Sequence, residues 1–177
     1  SIASLEKIEL GNMEQWILVR GQNTTNPVLL WLHGGPGAAQ MPVARYFNSA
    51  LEEHFIVVHW DQRGAGKSNP SNFDESTMTF DQYLSDAHEL TLYLKSRFGQ
   101  DKIYLVGHSW GSQLGIRLAQ IYPQDYYAYI GVGQVVNFRR AQEIGYDWLL
   151  HQVKDKSSLS KLKSLGRPPF TDHVEFV

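Results

Sequence analysis

A chain of 177 residues is long enough to bury one core; 42% of it is hydrophobic, and 16 Lys and Arg against 18 Asp and Glu leave a formal charge of -2. With no long run of either sign, nothing electrostatic invites nucleic acid or an anionic membrane. Cysteine is absent, which excludes disulfides, thiolate metal sites and a cysteine nucleophile. No stretch approaches the ~18 consecutive apolar residues of a membrane span, so a soluble, cytoplasmic protein is expected.

The N-terminal thirty residues pattern as a hairpin, LEKIEL and MEQWILV joined by Gly11-Asn12, a pair suited to the positive φ of tight hairpin turns. VLLWL at 28–32 is too uniformly apolar for a strand with one wet face, and reads as buried on both sides. FIVVHW at 55–60, IYLV at 103–106 and YAYIGV at 127–132 follow in the same manner. Helical spacing separates them. Residues 42–53 place Val43, Tyr46, Phe47, Ala50 and Leu51 on one face, with Pro42 in the first turn.

The next helix has Thr79 and Gln82 as a capping box, Phe80, Tyr83, Leu84, Ala87, Leu90 and Leu94 at helical spacing, and Gly99 to close it. A third runs from Ser109 to about Tyr122, where Pro123 stops it. Strands alternating with helices predict an α/β fold, a mostly parallel sheet with an N-terminal hairpin and flanking helices. From about residue 134 the pattern changes to an amphipathic helix, FRRAQEIGYDWLLHQVKD, and a short, polar helix, SSLSKLKSLGRPP, halted by Gly166 and two prolines, with no further buried strand. The expected division is 1–133 and 134–177.

Gly107-His108-Ser109-Trp110-Gly111 fits G-x-S-x-G between a predicted buried strand and a predicted helix, the context of a nucleophile elbow. Such a bend holds a serine in a strained conformation with its hydroxyl lifted above the sheet. Side chains at 107 or 111 would collide with neighbouring backbone, and Gly115 extends the bare strip. The helix after Ser109 points its N-terminus at an oxygen that gains negative charge during attack.

Two more motifs each follow a strand. HGGPG at 33–37 offers Gly35 as an oxyanion donor to join Trp110, since Pro36 has no N–H to give. DQRGAGKS at 61–68 imitates a phosphate-binding loop but carries Asp61 where that loop needs glycine, so Asp61 and Arg63 are expected to brace the loops around the site instead. No metal or organic cofactor is required.

HGGPG, DQRGAGKS and GHSWGS, in this order and each after a buried strand, resemble the proline iminopeptidase branch of the α/β-hydrolase superfamily over about residues 28–122. The resemblance implies a sheet of about eight strands, a helical cap after the sixth, a Ser-Asp-His triad and a cis peptide before Pro36. It places the acid and the histidine beyond the cap. Residues 134–177 read as the start of that cap, so the chain reads as an incomplete hydrolase, part of a domain on the order of 250 residues or more. A second chain is one source of the remainder.

Local histidines are poor substitutes. His33 and His108 belong to the motifs as loop braces, and His54, His59 and His88 precede the serine. His151 sits four residues after Asp147 on a helix face, a spacing open to a hydrogen bond or metal ligands, read here as an exposed pair without a third ligand. His173 follows Asp155 and Asp172 but lacks a strand to fix it. The expectation is therefore a serine hydrolase acting through an acyl-enzyme on small peptides, the fragment alone being inactive. A small-molecule carboxylesterase and a non-catalytic binding module are the alternatives. Glu143 and Asp147 are available in the cap for a substrate amino terminus, although cap-helix charges usually face solvent.

Overall fold

The computed structural model describes residues 1–168. The chain divides into two compact units, 1–134 and 135–177. The first contains a six-stranded sheet in the order β1-β2-β4-β3-β5-β6, formed by β1 (Ile2–Leu10), β2 (Met13–Gly21), β3 (Val28–Leu32), β4 (Ile56–Asp61), β5 (Ile103–His108) and β6 (Tyr126–Val132). The first two strands form the expected hairpin, with φ of 53° at Gly11 and 57° at Asn12. Strand β2 also pairs antiparallel with β4; all pairs from β4 to β6 are parallel. A parallel sheet needs crossovers, which α1 (Met41–Phe47), α2 (Phe80–Phe98) and α3 (Trp110–Ile121) supply.

The pleat sorts the core. Leu29, Val57 and Val106 are buried together on one face, covered by Leu51 and Phe55 and flanked by Trp31 and Tyr104. Leu30, Leu32, Val58, Trp60, Ile103 and Leu105 are buried on the other, toward α2 and α3 with Tyr83, Ala87, Leu90, Leu94, Leu114 and Leu118.

The helix expected over 42–53 is corrected. It stops at Phe47, and Ser49–Glu53 forms a separate 3-10 turn. The turn is tied to β2 by the Arg20–Glu52 ion pair at 2.7 Å and to the β2–β3 connection by Gln22 N–H donating to the Glu52 carbonyl at 2.8 Å. Those ties bring Leu51 onto the sheet, and the periodic face splits: Tyr46 and Phe47 are 84% and 72% exposed instead of buried.

Helix α2 begins as expected, with the Thr79 hydroxyl accepting from Gln82 N–H at 3.2 Å, and ends at Gly99 with φ 61°. The reciprocal half of the capping box is not made. Gln82 sends its amide to Asp86 at 2.7 Å instead.

In the second unit, α4 (Phe138–Gln152) and α5 (Lys156–Leu165) are capped by Asn137 and Asp155. Neither helix buries a residue fully, and Trp148 is 60% exposed.

Candidate active site

Ser109 is the bend between β5 and α3, with φ 52° and ψ -119°. Such a conformation costs a non-glycine residue about 1–3 kcal/mol and persists only where its surroundings impose it. They do. Ser109 N–H donates to the Val132 carbonyl on β6 at 2.9 Å, and the Ser109 carbonyl accepts from Ser112 N–H at 2.8 Å and from the Ser112 hydroxyl at 2.5 Å.

The flanking glycines are sterically required. A Cβ on Gly107 would lie 2.5 Å from the Gly111 carbonyl oxygen, and one on Gly111 would meet the Leu32 and His33 carbonyl oxygens. Helix α3 thus starts hard against β3 and β5. At Gly115 a Cβ would strike the Tyr129 ring of β6, whose hydroxyl donates to the Ser112 carbonyl at 2.9 Å. Trp110 is buried edge-on to Phe80 and Tyr83.

The HGGPG loop lies against this bend. A Cβ on Gly34 would come within 3.1 Å of the Ser109 Cβ, and Gly35 has φ 122° where a Cβ would collide with the Gly37 and Ala38 nitrogens. The Gly35–Pro36 peptide is cis. The structure therefore brings Ser109 and Trp110 beside the loop that carries Gly35.

The loop's near end is held by His33 and Gln62. Gln62 N–H donates to His33 Nε2 at 3.2 Å, and its side-chain amide donates to the His33 carbonyl at 3.0 Å. With Nε2 accepting, the proton resides on Nδ1 and is donated to the Gly34 carbonyl at 2.7 Å. Burial pushes the His33 pKa down, which suits this neutral tautomer.

Asp61 and Arg63 brace separate loops. Asp61 accepts from Lys67 N–H at 2.9 Å, closing its own turn, and burial raises its pKa. Arg63 forms a buried ion pair with Asp86 of α2 at 2.9 Å and donates to the Gly11 carbonyl at 3.0 Å. Gln15 joins Asp86 to Trp60, donating to one at 2.7 Å and accepting from the other at 2.9 Å. This network locks the hairpin turn, the DQRG loop and α2 together. Arg63 and Asp61 announce themselves by motif; Asp86, Gln15 and Gln40 carry no motif and were invisible in the sequence.

No described histidine hydrogen-bonds to Ser109. His108 meets Gln40 at 3.2 Å, and His88 meets Asp125 at 3.0 Å while stacking on Tyr122. His59 is buried with its pKa lowered to about 4 by desolvation, and His54 is exposed. The Asp147–His151 pairing differs from a carboxylate–imidazole pair. His151 Nδ1 lies 2.7 Å from the Asp147 backbone carbonyl, while the carboxylate binds Arg167 at 2.7 Å. Glu143 is engaged by Arg139 and Arg140. His173 and Asp172 lie outside the described residues.

The family model for the alpha/beta hydrolase fold matches residues 27–153, a span that includes the bend at Ser109 and the glycine loop. The chain belongs to this family. A probable aminopeptidase of Bacillus subtilis, YbaC, is 37% identical over 178 residues, 99% of this chain and 56% of that protein. A proline iminopeptidase of Saccharolobus solfataricus is 38% identical over 109 residues, 60% of this chain and 32% of that protein.

Among solved structures, a proline iminopeptidase-related protein of Thermus thermophilus superposes with a TM-score of 0.70 at 26% identity, covering 96% of this chain and 58% of that one. An epoxide hydrolase of Vigna radiata gives 0.60 at 27% identity over 73% of this chain and 38% of that one. The α/β-hydrolase chain thus spans a little over half the length of the two longest of these matches.

Proposed function

We propose that this chain carries the nucleophile and oxyanion-binding half of a serine hydrolase. Ser109 attacks a carbonyl carbon, and the N–H groups of Gly35 and Trp110 bind the oxygen as its charge develops. A histidine oriented by a carboxylate takes the hydroxyl proton and returns it to the leaving group; both come from polypeptide other than residues 1–168, in the same protein or in a second chain. The observation that carries this reading is the strained φ of 52° at Ser109 between two glycines that admit no side chain.

A hydroxyl at this position favours carbonyl substrates over epoxides. Attack on a carbonyl leaves an acyl ester that water can cleave, whereas epoxide opening by serine would leave an ether that water does not release. The aminopeptidase and proline iminopeptidase names of the relatives support small peptides with a free amino terminus as substrates. Residues 134–177 are then the first part of a helical cap.

A fluorophosphonate probe on the complete protein tests the assignment. Labelling should fall on Ser109 and vanish in Ser109→Ala, and a prolyl amide should be cleaved faster than a short-chain ester. Absence of label at Ser109 would refute the serine mechanism. Faster ester cleavage would make the protein a carboxylesterase.

A further inference from the structure

Gln40 ends the glycine loop and occupies the N-cap position of α1, yet its side chain makes no capping hydrogen bond. Glutamine is no favoured cap, and its amide is engaged elsewhere. The Trp31 indole N–H donates to Gln40 Oε1 at 2.8 Å, and Gln40 Nε2 lies 3.2 Å from His108 Nδ1. Trp31 is on β3, and His108 is the last residue of β5, immediately before Ser109.

The chemistry of these three groups fixes the direction of every bond. An indole N–H can only donate, so the amide oxygen must face Trp31 and the amide nitrogen must face the imidazole. The nitrogen can only donate, so His108 Nδ1 must accept, which puts its proton on Nε2. The amide orientation follows from Trp31, and the tautomer follows from the amide.

We propose that Gln40 is a positioning residue for the oxyanion loop, holding neutral His108 as the Nε2–H tautomer and fastening the loop's far end to the nucleophile bend. This inference rests on the serine hydrolase reading above. His33 and Gln62 hold the loop where it leaves β3; Gln40 holds it where it enters α1. Between them, Gly34 packs against Ser109 and His108, with a Cβ there meeting His108 Nδ1 at 3.3 Å. The two donors come from separate segments, Gly35 in the loop and Trp110 after the bend. Their spacing is set by whatever joins those segments, and Gln40 is a direct side-chain link between them.

The relay also borders a pocket of about 260 Å³, lined by Trp31, Gln40 and His108 with Val43, Phe47 and Val132.

The experiment uses the complete protein with histidine ring nitrogens labelled with 15N, alongside Gln40→Met and Gln40→Glu. In the wild type, His108 should show a protonated Nε2 and an unprotonated Nδ1. Gln40→Met, which keeps length but neither hydrogen bond, should lower kcat by about 10- to 100-fold with KM nearly unchanged, because misplaced donors act on the transition state. Gln40→Glu still accepts from Trp31 but can only accept from His108, so it should move a proton onto Nδ1 while retaining most of the kcat lost in Gln40→Met.

An Nδ1–H tautomer in the wild type would overturn the relay, as would a wild-type kcat in Gln40→Met. Should Gln40→Met fail to fold, the wild-type tautomer and the Gln40→Glu proton shift still decide. If Ser109 takes no fluorophosphonate label, the hydrolase reading fails separately, and the ring spectra alone judge the hydrogen-bond relay.

Discussion

Ser109 combines two demands that oppose each other. Lifting a hydroxyl clear of the sheet at a sharp bend requires φ 52°, a value that suits glycine, yet the proposed chemistry requires a side chain. The surrounding hydrogen bonds from Ser112 and to Val132 hold the residue there. Relieving the conflict should therefore stabilise the protein and abolish turnover. Ser109→Gly is expected to be more stable than Ser109→Ala by about 1 kcal/mol, since alanine removes the hydroxyl but keeps the Cβ in the same conformation. Urea unfolding of the two variants checks this, and equal midpoints would mean that strain at position 109 does no more than offset the entropy glycine adds to the unfolded chain.

At the scale of elements, α2 shows how a local pattern is overruled by a tertiary partner. Thr79 and Gln82 have the spacing of a reciprocal capping box, but the Gln82 amide lies 2.7 Å from Asp86, part of the buried cluster with Arg63 and Gln15. Thr79→Ala should cost about 1 kcal/mol as a lost cap. In double-mutant cycles Gln82 should couple to Asp86 by about 0.5 kcal/mol or more and to Thr79 hardly at all. Measurable Thr79–Gln82 coupling would restore the capping box.

The same contrast explains what could be read in advance. All six strands and the limits of α2 and α3 follow from the Gly11-Asn12 turn, apolar runs, Gly99 and Pro123, because tight hairpins, parallel strands and helix ends obey short-range rules. Helix α1 did not follow its periodicity, because Arg20 and Asn26, far away in sequence, anchor Glu52 and Glu53 and divide the segment. At the site, the bend and the glycine loop were legible as motifs. Gln40 was not, since its role exists only once β3, β5 and the loop are neighbours.

Across the whole molecule, polar groups that close the loops are buried along with the core, and stability should carry their titration. His59 lies on β4, almost wholly buried, with its Nδ1 without a hydrogen-bond partner among the described residues and its pKa lowered to about 4. His33, buried nearby, is shifted in the same direction and adds its own repulsion to His59. A histidine in the unfolded chain takes up a proton near pH 6.5, whereas folded His59 refuses it until about pH 4. Between those values the unfolded state binds the extra proton, so acid favours unfolding. The loss from His59 alone should approach about 1.4 kcal/mol per pH unit across this window and cease below its folded pKa. Above pH 6.5 neither state is protonated at this ring, and the contribution is flat. Replacing His59 by Gln removes the titration, so urea midpoints of the variant should fall less steeply between pH 6.5 and 4.5 than those of the wild type. Identical slopes would show that His59 is charged, or solvated, in the folded protein.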